Sequence, residues 1–118
     1  MSDVTLRLSA EAPKNSDRWT VFAYNQRVYK SWAKLMVRVP ENLERCLEDL
    51  STQPMQRYFK QVFPLKGKPY KGSWEYKVNG GDRVYYVPNP ETRHVFVYYA
   101  DKHPNPPSPR PPKDLLLA

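Results

Sequence analysis

The sequence predicts a single α+β domain in which an N-terminal strand and a two-helix hairpin pack on a twisted antiparallel β-sheet. Three observations predict it. Two apolar stripes of helical period lie on either side of Pro40, strand-like segments separated by turn residues fill the stretch from Ser73 to Tyr99, and 118 residues leave room for one modest core. The expected divisions are an N-terminal extension over residues 1–17, the domain over 18–103, and a proline-rich tail over 104–118.

The elements follow in chain order. Val4, Leu6 and Leu8 alternate in an otherwise polar extension, which is compatible with a loose arm or an added edge strand. Residues Trp19 to Tyr24 read as a strand ending at Asn25, a good helix N-cap. Val28, Trp32 and Leu35 then recur at i, i+4 and i+7, with Arg27, Lys30, Lys34 and Arg38 off that stripe. Pro40 suits the first turn of a second helix, where its missing N–H costs nothing. There Leu43, Cys46, Leu47 and Leu50 form the apolar side, and Pro54 closes the segment. Cys46, inside that stripe, reads as a small core residue. Gln53 to Phe63 fits a loop or a single helical turn.

From Ser73 the period changes to two. Trp74, Tyr76 and Val78 point one way and Ser73, Glu75 and Lys77 the other, so the first set is expected in the core and the second in water. Asn79-Gly80-Gly81-Asp82 makes a hairpin turn whose glycines can adopt positive φ at little cost. Arg83 to Val87 is then the returning strand, Pro88 to Glu91 a second turn, and Arg93 to Tyr99 a third strand rich in β-branched and aromatic residues. Strand period puts Lys77, Arg83 and His103 near one rim of this meander, while His94 is expected to face solvent beside Arg93. Beyond it, six prolines between Pro104 and Pro112 exclude regular structure and suggest an extended spacer or a ligand for a proline-binding module.

Composition narrows the function. No apolar stretch approaches the roughly 18 to 20 residues that span a bilayer, and the first residues lack the apolar core of a secretory signal, so the cytoplasm is the expected compartment. One cysteine and two histidines give no disulfide and no metal-site spacing, so no metal or other cofactor is expected. The net charge of +7 is uneven: residues 1–50 hold eight Lys/Arg against seven Asp/Glu, and residues 51–118 eleven against five. A basic second half attracts polyanions, nucleic acid foremost, although an acidic protein partner satisfies the same charge.

The order strand, helix, helix, basic meander, carrying Leu65-Lys66-Gly67, then Gly72-Ser73-Trp74-Glu75-Tyr76-Lys77-Val78, then Arg83-Val84-Tyr85-Tyr86, resembles the RelE/ParE toxin superfamily of bacterial toxin–antitoxin systems. The resemblance runs from about Trp19 to His103. It implies a RelE-like α+β domain, a cognate antitoxin as partner, and one of two activities: cleavage of messenger RNA, commonly on the ribosome, or non-catalytic poisoning of DNA gyrase. A non-toxic nucleic-acid-binding relative is a third possibility.

For a cleaving member the resemblance implies specific roles. Arg83 matches the arginine that meets the scissile phosphate, where a guanidinium fork can hold two non-bridging oxygens as charge accumulates. Its competing role is an ion pair with Glu75 or Asp82. Lys77 and Lys66 match basic positions that hold phosphate, and a lysine crowded by Arg83 could also act as a base. Lys68 and Lys71 would steer RNA, and Tyr86 and Tyr99 could stack on bases or simply pack. His103 falls where relatives carry a group assisting the leaving 5′-oxygen, and imidazole can donate a proton near neutral pH; otherwise it is an idle surface residue. The sequence departs from the family pattern at Glu75, where many cleaving relatives are basic, and at Pro104 to Pro107, in place of a terminal tyrosine or basic pair.

Overall fold

A computed structural model describes residues 6–116. Two helices, α1 (Gln26–Arg38) and α2 (Pro40–Thr52), cover one face of a six-stranded sheet. The strands are β1 (Leu6–Arg7), β2 (Thr20–Ala23), β3 (Val62–Pro64), β4 (Trp74–Lys77), β5 (Asp82–Asn89) and β6 (His94–Lys102), in the spatial order β1-β2-β6-β5-β4-β3.

Each helix forms for the local reasons legible in its sequence. The Asn25 side chain accepts from Val28 N at 3.0 Å, satisfying one of the orphan amides of α1. Val28, Trp32 and Leu35 are buried on the predicted stripe. Pro40 opens α2, and Leu43, Cys46 and Leu50 are buried while Leu47 packs against them from the margin. Burying a leucine of this kind contributes on the order of 1.5–3 kcal/mol. Facing these stripes are Val21, Ala23, Trp74, Tyr76, Val84, Tyr86, Val95 and Val97 from the sheet.

The sheet is mixed rather than wholly antiparallel. The predicted meander β4-β5-β6 is present, but β2 lies parallel to β6, with Val21 opposite Val95 and Ala23 opposite Val97. The two-helix hairpin is the crossover that makes this possible, because it carries the chain over the core face between its two visits to the sheet. Leu6–Arg7 adds to β2 as an edge strand, which settles the extension's alternating patch in favour of pairing; Val4 lies outside the described residues. Gln53 to Phe63 contains no helix, and its end supplies the opposite edge strand, β3.

The turn at Asn79 keeps its predicted place by other means. Neither Gly80 nor Gly81 has positive φ; instead the Asn79 side-chain oxygen accepts from both Gly81 N and Asp82 N at 2.8 Å. Positive φ occurs at Gly67 (104°) and Gly72 (88°), in the loop that leads into β4. β5 continues through Pro88 and Asn89, so the second turn begins later than expected. Pro88 is tolerated because β4 ends opposite Tyr86 and asks for no N–H beyond it.

Candidate nucleic-acid face and its covering tail

The face of the sheet turned away from the helices was expected to be wet at Ser73 and Glu75, and it is not. Ser73 is fully buried and Glu75 is only 7 % exposed. What covers them is the proline-rich tail, which folds back over the domain instead of leaving it. The Tyr70 hydroxyl donates to Ser108 O at 3.0 Å, the Tyr98 hydroxyl to Pro109 O at 2.9 Å, and the Tyr24 hydroxyl to an Asp114 carboxylate oxygen at 3.0 Å. Leu115 joins Tyr85, Val87 and Tyr98 in a second apolar cluster, separate from the main core. The pairing of β5 with β6 slips between Tyr85 and Tyr86, leaving Tyr98 as an extra residue. Tyr98 and Tyr99 consequently both face this cluster.

The rim set predicted from strand period comes together at one end of this face. Lys77 is directly opposite Arg83, and Arg83 directly opposite Asp101, so the three share one row and one side of the sheet. His103 N donates to Gly81 O at 2.8 Å, extending the ladder to the next position on the same side, and its side chain is exposed. Lys77 is half-buried, its ammonium 5.7 Å from the centre of the Phe63 ring.

Arg83 is engaged by its own protein. Its side chain is 10 % exposed, its Nε lies 3.2 Å from Glu75 Oε2, and its Nη1 donates to Asn79 O at 2.8 Å and Asp82 O at 3.0 Å. The Nε–H does not align with the carboxylate, so the contact is an ion pair without a hydrogen bond. Glu75 also touches the Tyr85 hydroxyl, which meets the Ser108 hydroxyl from the tail. Burial, first of all, pushes the Tyr85 and Tyr98 phenols above their ordinary range, so both remain proton donors at neutral pH. The other acid at this rim, Asp82, is held by Arg38 Nη1 at 3.0 Å and by Asn79 Nδ2 at 2.9 Å, tying the end of α1 to the hairpin.

The remaining predicted site residues divide. Leu65 N bonds Ser73 O and Lys77 N bonds Gln61 O, so Lys66 and Lys77 sit at opposite ends of β4, roughly 13 Å or more apart along the strand. Lys66 therefore lies outside the row that holds Lys77 and Arg83. Lys68 opens a short helical turn that ends at Lys71, and both line a hollow with Val87, Pro88 and His94, at the end of β5 remote from Arg83. Tyr86 is fully buried against the helices and donates to Pro54 O at 2.6 Å, so it packs and cannot stack on a base. Tyr99 is half-buried, edge-on to Tyr85, with its hydroxyl bonded to Lys102 O at 2.5 Å. His94, expected in solvent, is half-buried edge-on against Phe22 at 5.0 Å and Phe96 at 6.0 Å.

One surface went unread in the sequence. Phe59 is 90 % exposed, and beside it Arg57, Lys60 and Lys66 line a groove along the edge strand β3. The signal was present: no acid occurs between Asp49 and Glu75, while Arg57, Lys60, Lys66, Lys68 and Lys71 all do. Among the described residues no cluster of His, Cys, Asp and Glu could hold a metal ion, and no helix is long and apolar enough to cross a membrane.

No family model and no curated protein matches the chain in sequence. Among solved structures the chain is similar to a YoeB/ParE toxin from Agrobacterium tumefaciens, with a TM-score of 0.55 and 16 % identity over 70 % of this chain and 97 % of that one. At that identity the likeness speaks for the architecture: this is the fold of the RelE/ParE-like toxins.

Proposed function

We propose that this protein is a toxin of a toxin–antitoxin system, acting as an endoribonuclease on messenger RNA. The observation that carries the reading is the row Lys77, Arg83 and His103 at one end of the helix-free face of a YoeB/ParE-like sheet. In the reaction, a ribose 2′-hydroxyl attacks the adjacent phosphate and the 5′-oxygen leaves. The 2′-proton passes to water, and His103 gives a proton to the leaving oxygen. Lys77 and Arg83 oppose the charge gathering on the phosphate. Because the ribose supplies the nucleophile, the products are a 2′,3′-cyclic phosphate and a 5′-hydroxyl, and no metal is required. The natural counterpart is a cognate antitoxin. The edge strand β3, with exposed Phe59 and its neighbouring cations, suits an acidic segment laid along it.

A specific contact favours a second reading. Glu75 occupies Arg83, and a phosphate would have to displace that carboxylate to be held by the guanidinium. A binding toxin directed at DNA gyrase needs no such exchange. Expression in bacteria of the chain and of its His103→Ala variant separates the two. Message ends bearing a 5′-hydroxyl, lost in the variant, are expected. Growth arrest with intact messages and broken DNA would give the result to the gyrase reading, and no arrest with either would remove the toxin assignment.

A further inference from the structure

The tail's contacts have a pattern that a spacer does not need. Pro104, Pro106, Pro107, Pro109, Pro111 and Pro112 bring no N–H groups, so few carbonyls of this segment can be met from within it; Pro112 O accepts from Leu115 N at 3.1 Å. Two consecutive carbonyls, of Ser108 and Pro109, are met by hydroxyls from separate parts of the chain, Tyr70 before β4 and Tyr98 on β6. The Tyr98 proton is committed to Pro109 O, so at the 2.6 Å contact with Ser73 it is Ser73 that donates. A buried serine thereby sets the direction in which the tyrosine offers its hydrogen. Between these bonds and the Tyr24–Asp114 contact, Pro111 is buried.

We infer that the face built from Tyr70, Tyr85 and Tyr98 is a recognition groove for proline-rich peptide, occupied here in cis by the chain's own tail. Aromatic rings with outward hydroxyls are what such a segment selects: flat surfaces for pyrrolidine rings and donors for carbonyls with few internal partners. The segment also loses little entropy on docking, since its φ angles are already restricted. The site is distinct from the Lys77–His103 rim, and its occupancy is read without RNA, so it stands or falls separately from the toxin assignment.

The test uses the full chain with Pro107, Pro109, Pro111 and Pro112 replaced by serine, which empties the groove, and a fluorescent peptide of residues 104–116 as the probe. Anisotropy should show binding to the four-serine protein, and binding to the unaltered chain at least about tenfold weaker, because a tethered tail competes at an effective concentration near the millimolar range. Adding Tyr70→Phe and Tyr98→Phe to the four-serine protein should weaken peptide binding about tenfold or more, the worth of two neutral hydrogen bonds. A folded four-serine protein that ignores the peptide, or takes a proline-free version equally well, overturns the proposal. Should the four-serine protein fail to fold, trypsin cleavage after Lys113 in the otherwise unaltered chain provides the readout. The Tyr70→Phe, Tyr98→Phe pair should accelerate it about tenfold, by the same loss of two bonds, and an unchanged rate overturns the proposal.

Discussion

Replacing Arg83 by alanine tests how the rim is held together. The Arg83 and Glu75 side chains are 10 % and 9 % exposed, so removal of the cation strands a carboxylate with little water around it. Breaking such a pair costs about 3–5 kcal/mol, and the poor alignment of Nε–H with Glu75 places this case at the lower end, about 3 kcal/mol. For a domain of this size that corresponds to a fall of about 12 °C or more in Tm. Glu75→Leu should cost about 2 kcal/mol, less than the loss of Arg83, because the guanidinium keeps its bonds to Asn79 O and Asp82 O. The double change Arg83→Met with Glu75→Leu removes both charges and fills the space, and it should return to within about 1 kcal/mol of the parent. Urea is the denaturant of choice, because it leaves ionic strength low and the pair unscreened. An Arg83→Ala variant within about 1 kcal/mol of the parent, or a double variant no more stable than Arg83→Ala, would refute the view that this pair is structural.

Other outcomes follow from the same contacts. His103→Ala should leave the urea midpoint unmoved, since the side chain is exposed, while lowering RNA cleavage about 100-fold or more; equal cleavage would remove it from the chemistry. Asn79→Ala deletes the two turn bonds to Gly81 N and Asp82 N and the bond to the Asp82 carboxylate, and should cost about 1–2 kcal/mol by urea denaturation. Leu43→Ala, at a fully buried site between α2 and the sheet, should cost about 2–5 kcal/mol. Alkali should destabilise the fold. Burial pushes up the Cys46 thiol and the Tyr76, Tyr86 and Tyr98 phenols, so the folded chain keeps protons that the unfolded chain releases. That stabilisation is complete below about pH 8 and is lost as pH climbs past the unfolded values of about 8.5 for cysteine and about 10 for tyrosine. Urea midpoints rising between pH 8 and 11 would contradict it.

Much of the fold was legible because its causes are local. Asn25, Pro40 and the two stripes place the helices within a residue or two, since a helix repeats its contacts every turn and its ends must be capped by nearby atoms. The rim of Lys77, Arg83 and His103 was legible for a similar reason: a hairpin fixes register, and register fixes which side chains share a row. The covered face was misread, although Tyr85, Tyr98 and Tyr99 on the supposedly wet side, followed by a proline-rich segment of matching chemistry, were a usable signal.

By itself, then, the sequence determined the two helices, the hairpin and the rim row, all set by neighbours in the chain. Only the tertiary structure decided the parallel pairing of β2 with β6, the ion pair that occupies Arg83, the separation of Lys66, Lys68 and Lys71 from that rim, and the return of the tail across the tyrosines. Those outcomes join residues far apart in sequence, where loop-closure entropy must be overcome by the sum of many distant contacts, and no local period records that sum.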